Sequence, residues 1–387
     1  MLRHALYLAL RYLASAPGRT AVLVLGTAVA FFLPGFTRQA AAVVEETLMA
    51  RAESSPVLIG HVGNEFDLTL NALYFRGAVR DPITYGDRHP AQDADYGVVV
   101  PLYVLHSVGG SPLVATSLDY YEQRGLSLSQ GRAPAVLGEV IAGAEVAEAF
   151  NLQVGDTLRS DTRNLYNIAG SYPLLLSVVG VLEEAGTPDD SAFFTDLHTA
   201  WALDGALHGH DEVTRAQALN PCAADGEALT ATAALFMFQE IDAANRSSFH
   251  LHGSVDEMPL SSLLVFPRDR RAHDQLLGDY ALESDRQAVR PTQVIETILG
   301  IVLRVEAGMR VYFGAVAAST AAFFFLVILL NLRLRRTELQ LMRRIGCSRF
   351  TIAAMVGTEI TLILLAASGL AAGVTALALN LLRAGLS

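Results

Sequence analysis

The chain has 387 residues, 52% of them hydrophobic, and a formal net charge of −11. Its 28 basic residues are all arginine, so it lacks the lysine that a Walker-type loop sets on the terminal phosphates, which excludes a P-loop nucleotide motor. The acids are concentrated: 37 of the 39 lie between Arg38 and Arg310 against 18 arginines, a net of −19 that repels polyanions and argues against a nucleic-acid binder, whose mark is a basic patch.

Residues 1–19 carry Arg3, Arg11 and Arg19 and no acid, with Leu6, Leu8, Leu10, Tyr12 and Leu13 making an amphipathic start suited to a membrane surface. Thr20 to Thr37 is a run of 18 uncharged residues. A basic start and an apolar core also describe a cleaved signal peptide, but such cores run to about 7–15 residues. This run is longer, and its helical pattern continues through Val43 and Leu48. A membrane helix over 20–48 is therefore expected, with Pro34 and Gly35 as the place where it kinks.

Residues 49–291 read as a mixed α/β domain outside the membrane. Val98–Val100, Tyr103–Ser107 and Leu113–Ser117 are expected as short strands, separated by Pro101, Gly109-Gly110 and Pro112. Glu139–Ala142 is a further strand, Ala144–Leu152 a helix, Val154-Gly155-Asp156 a turn, and Leu174–Val181 a buried strand. His208 to Glu227 is polar and irregular, and Leu229 to Phe238 fits either a strand or a helix. Ser262–Phe266 and Ala288-Val289 read as strands flanking a helix over Arg268–Glu283.

Thr292 is expected to cap a helix running unbroken into a second membrane span, 292–334, whose stretch Val311 to Leu332 has 22 uncharged residues. The third span, 351–382, contains 23 uncharged residues from Ile360 to Leu382, and 383–387 is a short outer tail. About 20 apolar residues cross a bilayer core as a helix. The connection between the two spans holds Arg333, Arg335, Arg336, Arg343, Arg344 and Arg349 against one acid, Glu338, and arginine beside a span marks the cytoplasmic side. The domain is then outside the cell membrane, and Cys222 and Cys347, on opposite sides, cannot pair.

Within the cytoplasmic segment, 335–350, Leu339, Met342 and Ile345 share one helix face while Arg343 and Arg344 point elsewhere. Such a helix can insert its apolar side chains into a partner's cleft; the same arginines also serve simply to fix orientation. Gly346 is expected to end this helix and Ser348 to start the next. Glu359 is an ionisable group near a membrane span, either functional and bundle-facing or an interfacial partner of Arg349 or Arg343. His208 and His210, and His250 and His252, are two HxH pairs; on a strand each pair shares a face and can offer two zinc ligands of the four a closed site needs. No nucleophile elbow frames the serines, histidines and aspartates, so no catalytic set is expected.

Several stretches carry a resemblance. Leu128 to Arg132, then GEVIAGAEVAEAFNLQVGDTL and LLLSVVGVLEEAGTPDDSAFF, resemble the periplasmic core domain of the MacB/FtsX/LolC-like ABC permeases, the type VII, mechanotransmission superfamily. RRTELQLMRRIGCSRFTIAAMVGTEI, residues 335–360, resembles that superfamily's segment between its second and third spans, and SPVLIGHVGNEFDLTLNALYF resembles one subgroup within it. The superfamily pattern adds a fourth span, which the tail 383–387 does not supply. The resemblance implies an α-helical membrane protein with its large mixed α/β domain inserted between helices 1 and 2. It implies no enzyme activity in this chain: ATP and Mg would be bound by a partner ATPase. It assigns ATPase coupling to Glu338, Leu339, Met342, Arg343, Arg344, Ile345 and Gly346. The partners it implies are that cytoplasmic ATPase, a second permease chain, the lipid bilayer of the bacterial inner membrane, and a periplasmic adaptor or substrate protein, with no nucleic acid and no resident metal. The competing expectation is an anchored extracytoplasmic binding or sensor protein without a motor.

Overall fold

The computed structural model describes residues 2–77, 79–162, 173–209, 238, 240–242, 244–251, 253–334 and 336–384. They form two compact units, Met1–Thr47 with Thr297–Leu386, and Leu48–Glu296.

Helix α1 (Leu2–Ser15) ends where Pro17 opens α2 (Pro17–Glu53), proline being tolerated in a first turn because its missing N–H needs no partner there. α2 passes through Pro34 as one assigned helix and continues beyond the expected end at Leu48. Its last turn, from Leu48 onward, belongs to the second unit.

The second unit begins with β1 (Val57–His61), α3 (Glu65–Tyr74), β2 (Ile83–Thr84), α4 (His89–Asp93), β3 (Gly97–Val108) and β4 (Ser111–Thr116). It continues with α5 (Asp119–Arg124), β5 (Leu128–Gly131), β6 (Glu139–Ala142), α6 (Ala144–Ala149), β7 (Thr157–Arg159) and β8 (Leu175–Leu182). Then come β9 (Phe193–Thr195), α7 (Leu197–Leu203), β10 (Leu207–His208), β11 (His250–Leu251), β12 (Pro259–Leu260), β13 (Ser262–Pro267), α8 (Arg270–Tyr280) and β14 (Arg286–Val289). Ten of these strands build one mixed sheet in the order β14-β1-β13-β3-β4-β9-β6-β8-β5, with β7 also on β8. The β4–β9 and β6–β8 pairs are parallel and the rest antiparallel. β8 alternates half-buried and buried residues along its length, as a strand with one covered face does. Leu176 and Val178 on its covered face join Trp201, Phe193, Ile59, Leu263 and Leu276 in one apolar core.

Several boundaries depart from the expectations above; α6, for one, stops at Ala149 rather than Leu152. β3 runs straight through Pro101, where two strands separated by the proline were expected; β4 stops at the Leu102–Thr116 pair, and the Thr116 hydroxyl donates to the Pro101 carbonyl at 2.9 Å. The helix after β13 is shorter than 268–283, starting at Arg270 because the Asp269 carboxylate caps it by accepting from the Ala272 N–H at 2.7 Å. The helix after β14 starts at Pro291 rather than behind a Thr292 cap. The segment Leu229 to Phe238 lies outside the described residues except for Phe238.

That last helix, α9 (Pro291–Leu334), is followed by α10 (Arg336–Arg344) and α11 (Arg349–Ala384). Among the described residues, three stretches are long and apolar enough to cross a membrane: Pro17–Glu53, Val311–Leu330 and Arg349–Arg383. In the helical unit α1 packs on α11, and Ala28 of α2 is buried with Ala367 and Ala371 of α11. Small residues at such contacts let helix backbones approach closely.

Candidate functional site

The connection between α9 and α11 is a short amphipathic helix with a defined stop. After Arg344 the chain closes in a Schellman turn: the Cys347 N–H donates to the Met342 carbonyl at 3.0 Å, and the Gly346 N–H to the Arg343 carbonyl at 3.1 Å. Gly346 has φ +97, a conformation a side chain would strain. Ser348 opens the next helix, its hydroxyl accepting from the Thr351 N–H at 3.1 Å.

Of the residues expected on the apolar face, Leu339 and Met342 are half-buried and Ile345 is 73% exposed. Two apolar residues absent from that expectation join Ile345 in the open: Leu341 at 61% and Phe350 at 86%. Leu341 and Ile345 are four apart, hence on one side of the helix. The helical signal was present in the sequence, but the spacing of Leu339, Met342 and Ile345 drew the face about a quarter of a turn away. Arg343 and Arg344 are exposed, as is Gly346, and the Glu338 side chain lies outside the description. The segment therefore presents bare apolar side chains flanked by arginine, chemistry suited to an apolar cleft with an acidic rim.

Glu359 lies on α11 and is only 5% exposed, whereas Arg343 and Arg349 are both exposed.

His208 and His250 are cross-strand partners on β10 and β11, with ring centroids 5.1 Å apart. Each ring nitrogen Nδ1 lies against a backbone carbonyl, Gly205 at 3.2 Å and Ser248 at 2.9 Å. His210, His252 and Cys222 are outside the described residues. Among the described residues no three metal-binding side chains converge.

Sequence reasoning missed the strongest charged cluster in the domain. Arg51, in the last turn of α2, is 6% exposed and Asp189 is 0% exposed. The guanidinium meets the carboxylate through both ends, at 2.7 and 2.9 Å, and its Nε donates to the Leu73 carbonyl at 3.1 Å. The Tyr120 hydroxyl accepts from Arg51 at 3.1 Å and donates to Asp189 at 2.5 Å. Burial disfavours the Asp189 charge, but Arg51 and the hydrogen bonds outweigh it, holding the carboxyl below its ordinary range. Burial pushes the Tyr120 hydroxyl up, and Tyr74, whose hydroxyl donates to the Leu48 carbonyl at 2.9 Å, is pushed up to about 12 by its own burial. Arg124 of α5 donates to the Ser54 carbonyl at 3.2 Å. Side chains or carbonyls from α3, α5 and the turn before β9 thus grip the end of α2.

No family model matches the chain, and no curated protein matches it. Solved structures similar to it include the periplasmic region of MacB from Actinobacillus actinomycetemcomitans, at 13% identity over 65% of this chain and 97% of that one, TM-score 0.36. The extracellular domain of the ABC-type transporter YknZ from Gram-positive bacteria is similar at 12% identity over 60% of this chain and 98% of that one, TM-score 0.32. A domain of a putative permease protein from Porphyromonas gingivalis is similar at 9% identity over 61% and 88%, TM-score 0.28.

Proposed function

We propose that this chain is the membrane-spanning, non-ATPase subunit of an ABC transporter of the mechanotransmission kind. The observation that carries the reading is α10: an isolated amphipathic helix between two apolar helices, closed by a Schellman turn, with Leu341 and Ile345 bare on one side. A connection that only fixed orientation needs arginines but no exposed apolar pair. ATP and Mg²⁺ belong, on this reading, to a separate ATPase whose cleft receives that pair. The arginine bias puts α10 in the cytoplasm and the domain Leu48–Glu296 outside.

The chain offers two covalent routes for motion. α2 and α9 are each continuous helices whose residues fall in both units, α2 from Pro17 to Glu53 and α9 from Pro291 to Leu334. The Arg51–Asp189 pair fixes the α2 end within the domain, so that displacement of this helix would be passed on rather than absorbed. The moving domain would act on an envelope substrate or a partner protein, and a second permease chain would complete the assembly.

The test is purification of the tagged chain from its native membrane with its associated proteins. The reading expects an ABC ATPase at stoichiometric yield and ATP hydrolysis that appears only with it. Recovery of the chain without any ATPase, under conditions that keep α10 intact, contradicts it and leaves the anchored binding protein in its place.

A further inference from the structure

In the helical unit, α2 and α11 flank an open groove of about 630 Å³. One wall carries Gly35 and Gln39 of α2, and the other is the row Ser368, Ala372, Ala376 and Asn380 of α11. Residues four apart share one side of a helix, so the row is continuous along α11. It is about 18 Å long, more than three helical turns, and a partner that fills it must be elongated. Thr375, on the floor between the walls, is buried.

The exposed surface of α11 has two characters. Leu370, Val374, Leu377 and Leu381 are large, aliphatic and bare, as suits contact with lipid chains. The groove row is exposed as well, but its residues are small or polar. Small residues four apart let a second helix backbone approach closely, and they mark helix contacts within membranes. The described chain leaves that space open: a Cβ added at Gly35 would meet no atom within 4 Å outside its own helical turn.

The groove also gathers polar groups that the helices leave unmet. Several hydroxyls elsewhere on the apolar helices bond back to the fourth carbonyl before them: Thr37 to Leu33, Thr320 to Val316, Thr358 to Ala354 and Thr361 to Gly357, at 2.7 to 2.9 Å. Thr375 lines the groove and is only 7% exposed, yet its hydroxyl makes no hydrogen bond with the described residues, and its oxygen is not closed off from the groove. Ser368 and Asn380 make none with the described residues either. A hydrocarbon chain lying in the groove would leave all three unmet, whereas a neighbouring helix can meet them with polar side chains of its own.

We propose that this groove docks a second copy of the chain, each α11 lying against the other and beside the other's α2. A twofold axis along the membrane normal sets a row against its own copy, so every residue on it must suit itself. This row does. Ser368, Ala372 and Ala376 are small and uncharged, and the Asn380 amide both donates and accepts, so two of them can bond to each other. Arg383, which lines the end of the groove, is exposed, and its long side chain can carry the charge to water. The proposal gives the second permease chain of the transporter reading a place to bind, and it rests on that reading for the placement of both helices in a membrane.

The experiment is disulfide cross-linking of the full chain in bacterial membranes, expressed without any ATPase partner. Cys222→Ser and Cys347→Ser remove the natural thiols. On that background Ala376→Cys sets a thiol in the groove row, and Val374→Cys sets one about 200° away on the opposite side of α11. Oxidation with copper phenanthroline should turn Ala376→Cys into a covalent dimer of this chain and leave Val374→Cys monomeric. Asn380→Leu should lower the dimer yield about threefold or more, as loss of an interhelical hydrogen bond entails. Gly35→Leu, which adds a side chain where its own chain leaves open space, should abolish the dimer while the chain still inserts at wild-type level. The proposal is overturned if Val374→Cys cross-links as well as Ala376→Cys does, if Ala376→Cys stays monomeric or is joined to a different protein, or if Gly35→Leu leaves the yield unchanged. With no ATPase present, loss of the α10 contact cannot produce these failures. A chain that dimerises in this way but never recruits an ATPase would contradict the transporter reading alone.

Discussion

Arg51 sits at the centre of a buried charged cluster at the end of α2. Its pair with Asp189 is shielded from water on both sides, and removing one member of a buried pair strands the other's charge. Arg51→Met should therefore destabilise the domain by about 3–5 kcal/mol, whereas Arg51→Met with Asp189→Leu should recover much of that loss. Thermal unfolding followed through Trp201, the chain's sole tryptophan and fully buried beside Tyr85, reads both. The pH dependence has a definite sign. The folded pKa of Asp189 is depressed, so its contribution is full above the unfolded value of about 3.9 and is lost as pH falls below that toward the folded value. Wild type should thus lose more melting temperature than the double variant on acidification below about pH 4; parallel acid profiles would show that the pair contributes nothing. None of this was legible in the sequence. Arg51 and Asp189 stand 138 positions apart, and Arg51 reads there as one more polar residue past an apolar run.

Legibility was greater for the elements. Local chemistry located the stop of α10 at Gly346, the start of α11 at Ser348 and the strand Glu139–Ala142, because caps and glycine turns are decided by neighbours in sequence. It misjudged β3, because a proline ends a strand only where its missing N–H is needed, and that is settled by the neighbouring strand; here β4 stops at Thr116, one residue pair from Pro101. It named part of the α10 face but omitted Leu341, whose exposure depends on what covers the helix. The Schellman turn gives a test of its own. Gly346→Val places a branched side chain at φ +97 and should weaken the turn by about 1–2 kcal/mol. Hydrogen exchange at the Gly346 and Cys347 amides should then accelerate about fivefold or more. Unchanged protection at both amides would show that the turn does not depend on the glycine.

At the scale of the whole molecule, charge and hydropathy said most. Among the described residues, three apolar helices stand where the uncharged runs are, and the acidic segment is the one that folds as a mixed α/β unit. On the proposed reading the arginine bias places α10 on the cytoplasmic side, and Cys347, a free, half-buried thiol beside α10, tests that placement. A membrane-impermeant maleimide should label Cys347 in inverted vesicles and not in intact cells stripped of their outer barrier; the opposite pattern reverses the topology. What the sequence could not reveal is the groove between α2 and α11, whose walls come from opposite ends of the chain.

If α10 docks an ATPase, as proposed, a matched pair of substitutions on it separates docking from the effect of charge alone. Ile345→Asp puts a charge on the bare apolar side chain, while Gln340→Asp puts the same charge on an exposed position that is already polar. Co-purification with the ABC ATPase and ATP hydrolysis by the recovered complex are measured for both, alongside the Trp201 melting transition of the domain. The account predicts that Ile345→Asp loses the ATPase and its hydrolysis, that Gln340→Asp keeps both, and that the domain transition is the same in each. Retention of the ATPase at wild-type yield and activity by Ile345→Asp contradicts it.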